Sequence, residues 1–245
     1  MTHLEAADSA LRRERRRLVD EREAFAAFAR RVADLPTDGA PETGPLVLDT
    51  RPVASAAAVR DAYETTVMAV PHYDEDYGDS YEESLAAEFG PELASGLTDG
   101  GLTETVKRGL VTAVRESHRE RGRLIATVDA ERESLAETVA RAERVLDELA
   151  EYTGEFTEKR YGTLEAYRAR LQVLEGKLDG WARDRQAEIR DRHSDLGLRE
   201  DFPDVQTYCY QDLAVAHPLL ATYAELADRC RERRRAVERA YSRVS

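Results

Sequence analysis

Apolar residues recur at helical spacing over most of the chain. In the first stretch, positions seven residues apart are apolar: Leu4, Leu11, Leu18, Phe25 and Val32. This heptad pattern is typical of a helix that buries one stripe. Glu14 and Glu21 interrupt the companion row, so the stripe is narrow. We predict a helix over residues 1–35 that ends at Pro36.

A much longer helix is predicted between Thr103 and Tyr152, where nothing in the sequence stops one. Its weak stretch is residues 117–123, because His118 and Arg121 stand where a core takes apolar side chains.

A second heptad run begins after Thr163, and we expect this helix, over 163–192, to fold back on the long one. Residues 153–162 form either a hairpin turn or a kink. The apolar positions of the run are Leu164, Tyr167, Leu171, Leu174, Leu178 and Trp181.

Shorter helices are predicted in the middle and at the end of the chain. One follows Ser55 and runs to about Val70, and another begins at Ser80, which has capping-box spacing with Glu83. Pro203 is placed to start a further helix. The pair His217 and Pro218 interrupts that helix before the last one, and no segment has the pattern of a strand.

The predicted fold class is therefore all-α. We expect an elongated helical bundle with antiparallel coiled-coil segments and a small acidic helical cap. Three segments are expected within one structural unit: the N-terminal heptad helix over 1–35, an acidic linker and short-helix cap over 36–102, and a long-helix bundle over 103–245.

Charge is distributed unevenly along these segments. Residues 36–105 contain 15 acidic residues against Arg51 and Arg60, so this stretch accounts for the whole net charge of -13. The flanking helices balance their own charges. Basic residues are 33 arginines and 3 lysines, a usage that resembles the proteome of a halophilic archaeon. An acidic surface of this kind keeps a protein soluble at high ionic strength.

The sequence also indicates a cytoplasmic protein. Arginines follow the first residues where a secretion signal has its apolar region. No segment approaches the length of about 18 apolar residues that a membrane span needs. Cys209 and Cys230 are too few for a disulfide framework and lack metal-site spacing, so we expect free thiols.

One tract carries a family resemblance. It runs from Arg60 through Pro71, His72 and Tyr73 to Tyr77. Residues 87–93, 208–210 and 217–220 also contribute to the resemblance. With these residues the chain resembles a haloarchaeal family known as a domain of unknown function. The resemblance implies an all-helical fold and brings no activity, cofactor or catalytic residue.

The acidic segment offers a weak set of candidate metal ligands, His72, Asp74, Asp76 and Asp79. Oxygen donors suit calcium or magnesium, and a histidine admits zinc or manganese. The calcium-loop template fails, however, because Asp79 stands where it requires glycine. A solvated acidic loop explains the same residues without a ligand.

The same segment is also our candidate partner-binding surface. Aromatic and charged groups occur together there, as they do at protein interfaces. The alternative is that the rings cover the end of a neighbouring helix seam. The candidate contact residues are Tyr63, Val67, His72, Tyr73, Tyr77 and Tyr81.

Two arginine runs, over 12–17 and 231–235, raise the possibility of nucleic-acid binding. Both alternate with acidic residues at helical spacing, which favours pairing within the protein. No phosphate-binding glycine loop or catalytic motif is present in the sequence. We therefore predict a non-catalytic interaction or scaffolding protein without a cofactor, whose partner is another protein or a second copy in a homodimer. The alternatives are an arginine-rich nucleic-acid regulator and a metal-binding protein.

Overall fold

The computed structural model describes residues 2–37, 52–152, 156, 159–195 and 205–244. Within these residues the secondary structure is helical and no strand occurs. The helices are α1 (Thr2–Asp34), α2 (Pro52–Glu64), α3 (Tyr73–Asp76), α4 (Tyr81–Phe89), α5 (Pro91–Gly100), α6 (Glu104–Glu151), α7 (Tyr161–Asp195), α8 (Val205–Tyr210) and α9 (Pro218–Val244). The predicted all-α class is confirmed.

The chain forms two compact units. Unit 1 consists of Met1–Glu14 and Thr127–Ser245, and unit 2 consists of Arg15–Ala126. Helices α1 and α6 therefore each contribute to both. The predicted segment boundaries at residues 36 and 103 both fall inside unit 2, so the acidic segment shares its unit with parts of these two long helices.

The core of unit 1 lies between α6, α7 and α9. It includes Val145 and Leu149 of α6, and the heptad residues of α7 pack against the apolar face of α9. Helix α7 runs opposite to α6, because Tyr152 contacts Tyr167 while Ser134, earlier in α6, bonds to Glu188. The chain thus reverses direction between α6 and α7, while residues 153–155 and 157–158 of the predicted hairpin turn or kink lie outside the described residues.

Helix α9 in turn runs opposite to α7. The rings of Tyr161 and Tyr241 lie 4.6 Å apart at one end, and those of Trp181 and Tyr223 lie 6.0 Å apart at the other. The last apolar heptad residue of α7 is therefore close to the first turns of α9. Coiled-coil packing of these antiparallel helices stays a prediction.

Unit 2 has an aromatic core. The Tyr63 ring lies 5.1 Å from Phe28 and 5.6 Å from Tyr81, in both cases edge to face, the geometry that aromatic pairs prefer. Aliphatic side chains surround these rings, among them Val32 and Leu85. The core thus joins α1 to the short helices of the acidic segment.

Local sequence signals account for most helix ends. The predicted capping box of α4 is confirmed, since the Glu83 amide donates to the Ser80 hydroxyl and the Ser80 amide donates to the Glu83 carboxylate. Helix α2 ends at Glu64, earlier than predicted, and turns follow it. The Thr65 and Thr66 hydroxyls there donate to carbonyls four residues back, a bond that often bends or ends a helix. The helix start predicted at Pro203 lies outside the described residues.

Candidate functional site

A buried ionic cluster joins three helices of unit 2. Arg121 of α6 donates from Nε to Oε2 of Glu21 in α1 at 3.0 Å. Its two terminal nitrogens donate to the carboxylate of Glu88 in α4 at 2.7 and 2.9 Å. One guanidinium therefore holds two carboxylates from different helices, and it binds that of Glu88 in the bidentate geometry that makes such bonds strong.

The second oxygen of Glu21 is also occupied. The Tyr77 hydroxyl donates to Oε1 at 3.0 Å, and the His72 Nε2 atom lies 3.2 Å from the same oxygen. Glu21 is 9% exposed and His72 is 7% exposed. A buried carboxylate needs partners of this kind because burial without them is costly.

The electrostatics of the cluster favour its charged state. Burial lowers the pKa of Arg121, but the charges of Glu88 and Glu21 raise it and outweigh burial, so the guanidinium is firmly protonated. Burial of the hydroxyl and the charge of Glu21 raise the pKa of Tyr77. The Arg121 guanidinium also lies 4.8 Å from the centre of the Phe25 ring, a favourable cation–π contact.

A small cavity adjoins this cluster. Its volume is about 60 Å³, far below the roughly 300–1,000 Å³ of sites that take organic ligands. Tyr73 lines it, and the Tyr73 hydroxyl is buried without a hydrogen bond of normal geometry. The nearby Ser84 hydroxyl instead shares a hydrogen bond of 2.9 Å with Tyr63.

The candidate metal ligands of the acidic segment are not brought together. His72 is turned to Glu21, whereas the Asp76 carboxylate pairs with Arg17 of α1 at 2.9 Å. Asp74 is exposed, and Asp79 lines the small cavity. Among the described residues, no three histidine, cysteine, aspartate or glutamate side chains could hold a metal ion together.

Most residues of the candidate partner-binding surface are not accessible to solvent. Five of its six residues are buried in unit 2: three belong to its aromatic core, whereas His72 faces Glu21 and Tyr73 lines the small cavity. Only Tyr77 is exposed, at 48%, with its hydroxyl turned inward. The buried five are Tyr63, Val67, His72, Tyr73 and Tyr81.

Unit 1 contains a second buried ionic cluster. Arg185 of α7 donates from Nη2 to both oxygens of Glu131 in α6 at 2.6 Å, and these residues are 5% and 1% exposed. The Tyr210 hydroxyl of α8 donates to the same carboxylate at 2.9 Å. Burial lowers the pKa of Arg185, but the charge of Glu131 raises it by more, so that this pKa lies above its ordinary value. Glu188 completes the cluster through Arg185 Nη1 at 2.7 Å.

This cluster was not predicted from the sequence, although the sequence contains a signal for it. Arg185 continues the seven-residue spacing of Leu164, Leu171 and Leu178. Glu131 falls in the α6 stripe between Val128 and Leu135. Because a buried charge without a partner is strongly destabilising, a charged residue at a core position of one helix predicts an opposite charge at a core position of the neighbouring helix.

The two arginine runs are involved in pairing within the protein. In the first, Arg12 pairs with Asp8 at 2.8 Å, and Arg17 pairs with both Glu75 and Asp76. In the second, Arg231 pairs with Asp228, and Arg234 pairs with Glu175 and Glu238. This pairing agrees with the prediction that the runs neutralise neighbouring acids.

Unit 1 also has a groove between the first turns of α1 and the middle of α6. Its volume is about 460 Å³. The apolar lining is Leu4, Leu135, Ala136 and Val139, and the charged lining is Glu5, Asp8, Arg12, Arg132 and Glu143. Leu4 and Leu135 are buried, while Ala136 is exposed at the centre.

The fold and these clusters define the class of protein. It is an all-helical protein whose long helices are held together by buried arginine–carboxylate clusters. None of the described helices combines the length and apolar character needed to cross a membrane.

The family model described as Domain of unknown function (DUF7260) matches residues 2–234, and the chain belongs to this family. No curated protein and no solved structure matches it.

Proposed function

We propose that this protein is a non-catalytic interaction or scaffolding protein that binds a protein partner through the groove of unit 1. The observation that carries the proposal is the apolar centre of this groove, in which exposed Ala136 and half-buried Val139 lie between charged side chains. An apolar centre with a polar rim is the usual arrangement of protein interfaces.

The surroundings of the buried arginines and of the buried cysteine support a structural role for these residues. Arg121 and Arg185 each bond to two carboxylates, and the cavity beside the first cluster is too small for an organic substrate. Cys230 is fully buried, and burial raises the pKa of its thiol to about 11, which disfavours the reactive thiolate.

We further propose that the protein works in a saline cytoplasm. The net charge of -13 and the preference for arginine support the saline setting. The free, buried thiol of Cys230 supports a reducing compartment.

Affinity capture from a lysate of the source organism tests the proposal when it is run with matched variants. Ala136→Glu places a charge at the centre of the groove. Ala169→Glu makes the same change at an exposed position of α7 that does not line the groove. We expect at least one bound protein to be retained by the wild type and Ala169→Glu but lost by Ala136→Glu. Identical sets of bound proteins for all three would contradict the proposal.

A further inference from the structure

The net charge changes sign from one end of the groove of unit 1 to the other. Helices α1 and α6 run in opposite directions, since Glu21 contacts Arg121 while Ala33, later in α1, contacts Lys107, earlier in α6. Acidic residues early in α1 and late in α6 consequently lie at one end of the groove. Basic residues later in α1 and earlier in α6 lie at the other end.

The acidic end consists of Glu5 and Glu143. Both side chains are exposed, and neither has an ion pair within the described residues. Because these two carboxylates are not neutralised by an ion pair within the described residues, this end of the groove attracts a positively charged group of a partner.

The basic end consists of Arg12 and Arg132. Asp8 lies between them, 2.8 Å from Arg12 Nη2 and 3.9 Å from Arg132 Nε. The latter distance is too long for a hydrogen bond, and Arg132 Nε donates to no acceptor in the described part of the chain. Asp129 lies 4.0 Å from Arg132 Nη1 but outside the groove. Within the groove this end carries two positive charges against one negative charge.

The apolar residues occupy the middle of this charge gradient. Arg132 and Glu143 are 11 residues apart in α6, or about 16 Å along a helix. Their midpoint falls between Ala136 and Val139, the apolar residues of α6 that remain accessible in the groove. Ala136 has a small side chain, so another helix can approach closely at this point.

The charges of this groove are complementary to the charges of the same groove in a second copy of the chain. A two-fold axis at its midpoint places the acidic end of one copy on the basic end of the other, at both ends at once. It also brings the two apolar centres together. Two-fold interfaces in homodimers use the same surface twice in this way. From this symmetry of charge we infer that the groove binds a second copy of this chain, with the two α6 helices antiparallel across the axis.

This inference rests on the proposed function and names the partner of the same groove. Its test is a charge swap with Glu143→Arg and Arg12→Glu, two changes at exposed positions. Each variant alone places like charges at both contacts, and we expect its dimer dissociation constant, measured by sedimentation equilibrium, to rise at least tenfold. An equimolar mixture of the two variants pairs opposite charges again, and we expect it to form a heterodimer close to wild-type affinity.

Several results would overturn the inference. They are a monomeric wild type, variants that dimerise like the wild type, or a mixture that associates no better than its components. Circular dichroism of each variant at the same concentrations shows whether it is folded. If a charge variant does not fold, Ala136→Glu and Ala169→Glu replace the pair, and only the former is expected to dissociate the dimer.

Failure of this inference can be told apart from failure of the proposed function. A monomeric wild type that still loses a different captured protein through Ala136→Glu would refute the homodimer and leave the interaction role standing. If neither self-association nor capture depends on Ala136, both ideas fail.

Discussion

Arg121 and Glu21 are 100 residues apart in the chain, yet Arg121 Nε donates to Glu21 Oε2 at 3.0 Å within the interior of unit 2. The bond fixes α6 against α1 at one point of their length. Each residue stands at a position where its own helix would otherwise bury an apolar side chain. The charge of each residue at such a position is explained by the opposite charge of the other.

Removing the charge of Arg121 should destabilise the protein strongly. Arg121→Met leaves Glu21 and Glu88 without their common partner, and breaking a buried pair in this way costs about 3–5 kcal/mol. The matched control is Arg119→Met, because Arg119 is exposed and pairs with Glu116 within one helix; such pairs contribute about 0–1 kcal/mol. Urea unfolding measures both. Equal stability of the two variants would show that the cluster does not hold unit 2 together.

Removing the charge of Arg185, the corresponding change in unit 1, should also destabilise the protein strongly. Arg185→Met strips Glu131 of its bidentate partner and should cost about 3–5 kcal/mol. Arg183 is two residues away, exposed, and within the described part of the chain it bonds to the Asp179 carbonyl of its own helix alone. Arg183→Met should therefore change the free energy of unfolding by less than about 1 kcal/mol. A small effect of Arg185→Met in denaturant unfolding would contradict a stabilising role for this cluster.

Two buried tyrosines of unit 2 should respond differently to loss of their hydroxyls. Tyr63→Phe removes a hydrogen bond to Ser84 and should cost about 1–2 kcal/mol. Tyr73→Phe removes a buried hydroxyl that has no hydrogen bond of normal geometry within the described residues, and it should be neutral or slightly stabilising because an unsatisfied buried group is itself costly. Thermal unfolding of both variants tests the contrast. A larger loss from Tyr73→Phe than from Tyr63→Phe would refute it.

Stability should fall at alkaline pH partly through Cys230. Burial raises the pKa of this thiol from 9.0 to about 11, so the folded state keeps the proton that the unfolded state loses. The contribution is fully present below pH 9 and is lost as the pH rises towards 11, with a limit of about 2–3 kcal/mol. In Cys230→Ala, unfolding free energies between pH 9 and 11 should decline less steeply than in the wild type. Parallel declines in both proteins would rule out this contribution.

Much of the fold could be predicted because helix periodicity is a local property. The seven-residue spacing around Leu164 and Leu171 and the capping box at Ser80 are encoded in neighbouring residues. The stop at Glu64 was not anticipated, since neither proline nor glycine stands at this position.

The candidate site was harder to predict because it depends on contacts between distant segments. A run such as Tyr73 to Tyr77 has the composition of an interface, but whether its rings face solvent or α1 is decided by Glu21 and Phe25, some 50 residues earlier. The charged residues that broke the apolar stripes were the useful signal. Glu21, Arg121, Glu131 and Arg185 all break a stripe, and all four form ion pairs in which Arg121 is partly buried and the other three are buried.

The most direct test of the central claim is the dissociation constant of the partner captured through the groove, whether that is a second copy or another protein. It should be measured for the wild type, Ala136→Glu and Ala169→Glu in molar potassium chloride, where phosphate contacts are weak. We predict unchanged affinity for Ala169→Glu and at least tenfold weaker binding for Ala136→Glu, a loss of about 1.4 kcal/mol or more. Equal affinities for all three proteins would contradict binding through this groove.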